Sequence, residues 1–272
     1  MADPAPTKPP NGPEAPSPAA REFYSRALEA LNRAGVEYLV GGGFALTFYT
    51  GIARHTKDLD LFVRPGASRH AIDTLAAAGY KTEWPWPHFL AKARSDDAYI
   101  DVLYNSGNGL TPVDDDWFSH AWEGELLNTR ALFVPPEEMI WSKAFVQERD
   151  RFDGADVAHL LLRTSDRLDW QRLLARFVGH EAVLLAHLLL FRYVYPTERD
   201  RAPSWVTDEL SARSGAERSG EHRICRGMNL APHEYRPDVE RWGFADSRRQ
   251  PHGPLRADDI ARFAPPDAQP IR

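Results

Sequence analysis

Apolar positions in the first half of the chain follow first a helical and then a strand spacing. From Arg21 to Ala34 they recur every three or four residues, which predicts a helix. Val36 to Val40, Asp58 to Val63 and Tyr99 to Tyr104 are short apolar runs of the kind that form strands. We therefore expect a mixed β-sheet domain with packed helices over residues 21–134.

The pattern becomes helical after Pro135-Pro136, which we interpret as a domain boundary. Helical spacing predicts a small helical domain over residues 135–214, so the fold class is α+β: a mixed β-sheet domain followed by a helical one. Residues 215–272 are expected to form a linker and a mostly irregular tail. Residues 1–20 hold seven prolines and almost no large apolar side chain, which predicts a disordered Pro-rich leader.

Composition narrows the class of protein only slightly. With 272 residues the chain can form a sizeable core, and its net charge of −6 argues against a broad electrostatic grip on nucleic acid. Cys225 is the single cysteine, so no disulfide can form within the chain. No apolar run approaches the ~20 residues that cross a bilayer, and no signal-peptide core is visible. We expect a soluble cytoplasmic protein without a membrane partner.

The first candidate chemistry lies where Gly41-Gly42-Gly43 interrupts the strand that ends at Val40. Glycine allows a sharp turn and lets a ligand approach bare amide groups. Phe44 to Thr50 has a helical pattern, so the N–H groups at its start would face the same opening. A helix N-terminus of this kind attracts phosphate.

A second feature is the pair of acids in the strand that begins at Asp58. Side chains alternate along a strand, so Asp58 and Asp60 project from one face. Two neighbouring carboxylates repel each other unless a cation lies between them, and Mg²⁺ prefers oxygen ligands. Asp101 lies inside another apolar strand, 41 positions after Asp60. It is the natural third carboxylate if the strands are neighbours, and an exposed-face aspartate otherwise.

Residues 42–46 (Gly-Gly-Phe-Ala-Leu) and 54–61 (Arg-His-Thr-Lys-Asp-Leu-Asp-Leu) together resemble the signature of the DNA polymerase β-like nucleotidyltransferase superfamily. They are most similar to its small bacterial members, of the abortive-infection and minimal type. The resemblance covers roughly residues 22–162 and implies transfer of a nucleoside monophosphate from an NTP. It also implies that three carboxylates hold Mg²⁺, with Mn²⁺ as an alternative. Many members have Ser where this chain has Gly43.

The resemblance assigns roles to particular residues. Asp58, Asp60 and Asp101 would be the catalytic and metal-binding residues, and Asp101 would also help to deprotonate the acceptor. The nucleotide-binding residues would be Gly42, Gly43, Arg54, Thr56 and Lys143. For Lys143 an ordinary surface lysine is an equal alternative. Asp153 and Asp156 resemble a paired-acid feature of the family's helical domain, although a helix N-cap explains Asp153 equally well.

The acceptor is not encoded in any motif. A hydroxyl of a small molecule, a protein or an RNA such as tRNA would serve the same core, and the acidic net charge mildly disfavours tRNA. The alternative function is a non-catalytic nucleotide-binding or antitoxin-like partner on the same fold. A chance glycine-rich turn in an unrelated domain is the plainest alternative. Oligomeric state is left open.

Overall fold

The computed structural model describes residues 16–53, 58–95 and 98–261 of this protein. Within these ranges a seven-stranded sheet occupies the first half of the chain, and helices follow it. The expected α+β class with a mixed sheet is confirmed. The limits of the separate domains stay a prediction.

The strands are short and the helices mostly of two to four turns. The strands are β1 (Leu39–Val40), β2 (Asp58–Phe62), β3 (Lys81–Trp86), β4 (Leu90–Arg94), β5 (Tyr99–Leu103), β6 (Trp122–Leu126), β7 (Thr129–Phe133), β8 (Ile224–Cys225) and β9 (Ala245–Asp246). The helices are α1 (Pro18–Arg33), α2 (Gly42–Thr50), α3 (Ser68–Ala77), α4 (Asp115–Ser119), α5 (Pro136–Ala144), α6 (Gly154–Thr164), α7 (Trp170–Arg176), α8 (Glu181–Val194), α9 (Ser204–Ala216), α10 (Arg236–Glu240) and α11 (Ala257–Ala261).

The order of the large sheet is β3-β4-β5-β2-β1-β7-β6. Strands β2 and β5 are parallel neighbours, as are β1 and β7, whereas the other adjacent pairs are antiparallel. Leu59, Leu61, Ile100 and Val102 are fully buried, so the central strands supply the core. Because β2 and β5 are adjacent, their polar side chains can share one face.

Helix α1 begins earlier than the sequence indicated. It starts at Pro18, where Ser17 caps it by accepting from the backbone N–H of Ala20 at 3.1 Å. The last part of the expected leader, from Pro18 to position 20, is therefore helical, which corrects that expectation. The rest of the leader, residues 1–15, lies outside the described residues. Tyr24, rather than the neighbouring Phe23, is fully buried on the core side.

Helix α5 ends at Ala144. The chain then forms a narrow hairpin in which Gln147 and Phe152 pair as an antiparallel bridge. Within it the N–H of Glu148 donates to the carbonyl of Arg151 at 2.9 Å. The backbone groups that would have extended the helix are satisfied by this hairpin, residues 147–152.

A buried acid–arginine network joins the helical half to the sheet half. Arg176 on α7 donates from Nε to Glu138 on α5 at 2.9 Å and from Nη2 to Asp114 at 2.9 Å. Asp114 also caps α4, where its side chain accepts from the N–H groups of Asp116 and Trp117. Arg172 contacts both Glu137 and Glu138. Arg176 of α7 thus fixes the loop between β5 and α4 to the helical half.

The segment after α9 is irregular, as expected, but it is not a loose linker. Between residues 224 and 261 it buries Met228, Ala231 and Leu255, together with an ion pair between Arg248 and Asp246 at 2.8 Å. We call residues 224–261 the C-terminal segment. Its burial corrects the expectation of a linker and tail, since even its charged groups are packed into the protein.

Over the ranges that the structure describes, none of the helices has the length and apolar character needed to pass through a membrane.

Candidate active site

The glycine turn is in direct contact with the second strand. The N–H of Gly41 donates to the carbonyl of Asp60 at 2.9 Å. Gly42 has a φ of 54°, and a Cβ placed on it would lie 1.7 Å from Oδ2 of Asp60. Only glycine fits this position, because a side chain would both strain the backbone and collide with the carboxylate.

Helix α2 begins at Gly42, two residues earlier than the sequence predicted, and no side chain caps its N-terminus. The N–H groups of its first turn are therefore available to a ligand. Gly43 lies in this first turn, and its carbonyl accepts from the Thr47 hydroxyl at 2.9 Å. The uncapped helix start next to an acidic strand is the arrangement expected for a bound, metal-associated phosphate chain.

The structure brings the predicted aspartates together. In the parallel pairing of β2 with β5, Asp60 lies directly opposite Asp101. One ligand oxygen from each of Asp58, Asp60 and Asp101 lies within 4.8 Å of the others. The condition on which Asp101 depended, a strand beside that of Asp58, is met. The exposed-face alternative is wrong, since Asp101 is 7% exposed.

The electrostatics of this cluster favour a cation. Burial, together with the nearby carboxylates of Asp58 and Asp101, raises the pKa of Asp60 to about 7. Burial is also the main reason that the pKa of Asp101 is raised. Three crowded carboxylates, of which Asp60 and Asp101 have raised pKa values, fit a hard divalent cation that would stabilise the ionised forms.

A residue that the sequence analysis missed, Lys92, contacts the third carboxylate. Lys92 on β4 is the cross-strand partner of Asp101, and its Nζ donates to both carboxylate oxygens at 2.8 and 2.9 Å. The signal was present in the sequence, because Lys92 lies between Ala91 and Ala93 in an apolar run, just as Asp101 interrupts its own strand. Two residues of opposite charge, each inside an apolar run of a nearby strand, predict an ion pair between the strands.

Tyr24 is a second residue that was missed. Burial and the charges of Asp58, Asp60 and Asp101 raise its pKa to about 12, so the hydroxyl keeps its proton at neutral pH. Its ring packs edge-on against Phe44 of α2, with centroids 6.0 Å apart. Helix α1 therefore packs against the first turn of α2, the helix that begins at the glycine turn. In the sequence, Tyr24 was indistinguishable from an ordinary core position.

Lys143 lies near the aspartates, as predicted for a residue of the helical half. Its positive charge partly offsets the rise in the pKa of Asp60. Its Nζ donates to Asp153 at 3.0 Å and to Asp156 at 2.8 Å. Asp153 occupies the N-cap position of α6, as the N-cap alternative expected, but its side chain makes no capping hydrogen bond there. The surface-lysine alternative is wrong, because the Lys143 side chain is 14% exposed.

Two of the predicted nucleotide-binding residues, Arg54 and Thr56, lie outside the described residues. Their roles stay predictions.

Comparison with known proteins gives one match by sequence. Residues 25–107 match the model of the aminoglycoside-2''-adenylyltransferase family, a segment that contains the glycine turn and all three aspartates. This match supports the expected superfamily and confirms the expected class of enzyme, a nucleotidyltransferase, for that segment. It does not support the abortive-infection and minimal type. Among proteins of curated function, none matches the chain significantly.

Solved structures give distant likenesses. The lincosamide antibiotic adenylyltransferase LnuA, bound to lincomycin, is 19% identical, with 52% of this chain and 94% of LnuA covered and a TM-score of 0.38. ANT(2'')-Ia in complex with adenylyl-2''-tobramycin is 16% identical over 65% of this chain and 99% of its own, with a TM-score of 0.39. JHP933 from Helicobacter pylori is 12% identical, at 73% and 94% coverage and a TM-score of 0.38. With TM-scores below 0.5, these likenesses are too distant to decide an activity or an acceptor.

Proposed function

We propose that this protein is a Mg²⁺-dependent nucleotidyltransferase that transfers a nucleoside monophosphate from an NTP to a hydroxyl group of a small molecule. The observation that carries the proposal is the convergence of Asp58, Asp60 and Asp101 within 4.8 Å, beside the uncapped start of α2. A carboxylate cluster facing free helix N–H groups is suited to a nucleoside triphosphate with its cation. Mn²⁺ would fit the same oxygen donors.

Each residue has a defined part in this reaction. Asp58 and Asp60 hold the cation, and the N–H groups of Gly42 and Gly43 bind the phosphates. The acceptor oxygen forms a bond to the α-phosphorus while the bond to the pyrophosphate oxygen breaks, and Asp101 receives the hydroxyl proton. When bound, Mg²⁺ supplies neutralisation of the phosphate charge. The protein itself contributes mainly positioning.

Lys143, Arg54 and Thr56 complete the proposed nucleotide site. Lys143 enters from the helical half, opposite β2, with an ammonium already oriented by Asp153 and Asp156. A fixed cation at this place offsets the charge of a triphosphate without having to be ordered on binding. Arg54 and Thr56 directly precede the strand that begins at Asp58, which supports a role at the same phosphates.

A small-molecule acceptor is favoured over a protein or an RNA. The matching family is named for adenylylation of an aminoglycoside, and the match covers the segment that holds the catalytic aspartates. The net charge of −6 weakens the case for RNA. Lincomycin and tobramycin, which occur in two of the structures compared above, are suitable first acceptors.

The test is transfer with labelled nucleotides. The purified protein is incubated with Mg²⁺, each of the four NTPs and each acceptor, with cell extract as a source of further acceptors. Mass spectrometry should detect an acceptor that has gained one nucleoside monophosphate, and pyrophosphate should be released in equal amount. Asp101→Asn should abolish the product, whereas Asp73→Asn, an exposed acid on α3, should not. No product with any acceptor would refute the transferase.

One observation favours a second function, nucleotide binding without turnover. Lys92 contacts both oxygens of Asp101, which would leave this carboxylate a poor proton acceptor if the pair persisted with nucleotide bound. In that case Mg²⁺–NTP would bind in calorimetric titration while no product and no pyrophosphate formed.

A further inference from the structure

A cavity of about 430 Å³ lies away from the glycine turn, and the C-terminal segment forms much of its wall. The other walls are the loop that follows β5, the end of α5 and the hairpin of residues 147–152. Nothing in the nucleotide site described above uses this space. Its volume suits a compact organic molecule.

The walls of the cavity are fixed to one another by hydrogen bonds. Asn108, in the loop after β5, donates from its side chain to the carbonyl of Asn229 at 2.9 Å. From the hairpin, the N–H of Gln147 donates to the carbonyl of Leu230 at 3.3 Å. A cavity bounded by such cross-links is preformed, so little ordering is needed when a molecule enters.

The cavity adjoins Lys143, one of the proposed nucleotide-binding residues. Its lining includes Ser142, which directly precedes Lys143 on α5, and Arg151 of the hairpin. Arg151 approaches Asp153 to 3.7 Å, and Lys143 donates to the same carboxyl group at 3.0 Å. A molecule in the cavity would therefore lie beside the nucleotide site, on the side of the helical half.

The charges of the lining largely cancel each other. Asp246 and Arg248 form a buried ion pair at 2.8 Å, and Arg236 and Glu240 approach within 4.0 Å. Glu148 is different, because no ion-pair partner for it is found within the described parts of the chain. A molecule with many ammonium groups would find only the Glu148 carboxylate available for an ion pair in this lining. A molecule with a single ammonium group would have its charge balanced by that carboxylate.

The lining also offers apolar surface, and one of its polar side chains is buried with an unsatisfied atom. Phe145, Met228 and Val239 offer apolar surface to the cavity. Asn229 is 6% exposed, and its Oδ1 has no hydrogen-bond partner among the residues described. A buried amide oxygen without a partner is costly, and a donor group of a bound molecule would satisfy it.

We infer that this cavity is the acceptor subsite, and that it takes a partly apolar, hydroxylated molecule with at most one ammonium group. This inference rests on the proposed function. Glu148 would pair with the ammonium group and Asn229 would accept from a hydroxyl. The C-terminal segment, which the family match does not include, would thus determine which acceptor is used. Polycationic aminoglycosides are disfavoured.

Calorimetric titration with lincomycin, which carries a single basic amine, and with tobramycin, which carries several, tests the inference. Lincomycin should bind the full-length protein at least tenfold more tightly than tobramycin. Glu148→Gln should weaken lincomycin binding about tenfold, because a charge-assisted contact is lost. Val239→Phe should weaken it further by filling the cavity. Glu22→Gln, on the exposed face of α1, is the matched control.

Binding of Mg²⁺–ATP, measured in the same variants, separates this inference from the proposed function. If Mg²⁺–ATP binds and label is transferred, but Glu148→Gln and Val239→Phe bind lincomycin like the parent, the cavity is not the acceptor subsite. Tighter binding of tobramycin, or no binding of either compound, would also overturn the inference. If the parent binds none of the four Mg²⁺–NTPs, it is the proposed function that fails.

Discussion

Lys92 donates to both carboxylate oxygens of Asp101, at 2.8 and 2.9 Å, from the neighbouring antiparallel strand. The ammonium group therefore occupies the oxygens that a cation between Asp58, Asp60 and Asp101 would also use. The Lys92 side chain is 22% exposed and that of Asp101 11%, so water screens their interaction only weakly. Lysine and divalent cation should compete for the third carboxylate.

We expect Lys92→Met to make the protein more dependent on Mg²⁺. Without the ammonium group, the carboxylates repel each other, so the metal-free variant should lose roughly 3 kcal/mol of stability. Added Mg²⁺ should restore more of the melting temperature in the variant than it adds to the parent. Lys81→Met, at an exposed position of β3, is the control. Equal responses of parent and variant to Mg²⁺ would show that Lys92 and the cation do not compete.

A second prediction concerns pH. The raised pKa of Asp60, about 7, means that the folded protein holds this proton more tightly than the unfolded chain, whose carboxyl titrates near 3.8. The contribution of Asp60 to metal-free stability should therefore be largest below the unfolded pKa, fall as the pH rises towards 7, and then level off. Because Mg²⁺ replaces the proton, its stabilising effect should be small at about pH 5.5 and larger at about pH 8.

Thermal melts with and without Mg²⁺ at several pH values check this prediction. Asp60→Asn should remove the fall in metal-free stability over this interval and most of the response to Mg²⁺. Asp73→Asn, an exposed acid on α3, should leave both unchanged. A Mg²⁺ effect that stays constant across the pH range would contradict the coupling between proton and metal.

A third prediction uses two glycines with similar backbones and different surroundings. Gly42 has a φ of 54° and no room for a Cβ, whereas Gly51 has a φ of 72° and open space around it. Replacement by alanine should cost each about 1–2 kcal/mol of backbone strain. Only Gly42→Ala should also displace the Asp60 carboxylate and abolish Mg²⁺–ATP binding in calorimetry. Similar nucleotide affinity in the two variants would remove the turn from the site.

A fourth prediction separates the two contributions of Lys143. Lys143→Ala should weaken Mg²⁺–ATP binding roughly tenfold, through loss of a charge-assisted contact. It should also lower stability, because two buried carboxylates, Asp153 and Asp156, would lose the ammonium group that both contact. Replacing both acids with asparagine should reduce stability while keeping the ammonium group. If that double variant binds nucleotide as poorly as Lys143→Ala, orientation matters as much as charge.

The centre of the fold was predictable because its signals are local. Asp58 and Asp60 alternate with buried leucines on one strand, so their shared face follows from strand geometry. The glycine turn ends a strand abruptly, which is also visible in the sequence. Even Asp101 could be found as an acid inside an apolar run. The pairing of β2 with β5 brings Asp101 next to Asp58 and Asp60. In the sequence analysis this pairing was only a condition for the role of Asp101, because the sequence contains no signal for strand order.

The rest depended on contacts between distant parts of the chain. Nothing near Lys143 shows that Asp153 and Asp156 bind its ammonium group instead of capping a helix. The C-terminal segment has few apolar residues and short elements, so its composition indicated a linker. It folds against the protein through contacts such as that of Asn108 with the Asn229 carbonyl, and it buries an ion pair of its own, Arg248 with Asp246. Such pairs have no periodicity from which a sequence pattern could identify them.

The 1.7 Å separation between Asp60 Oδ2 and a Cβ built on Gly42 has a consequence for variation in this protein. The two positions can change only together: a side chain at 42 requires a smaller residue at 60, and a smaller residue at 60 removes a carboxylate from the cluster. Any single substitution of glycine at 42 therefore gives a protein in which the carboxylate cluster cannot support the reaction. In a library that randomises both positions and selects for transfer, the surviving pair should be Gly and Asp.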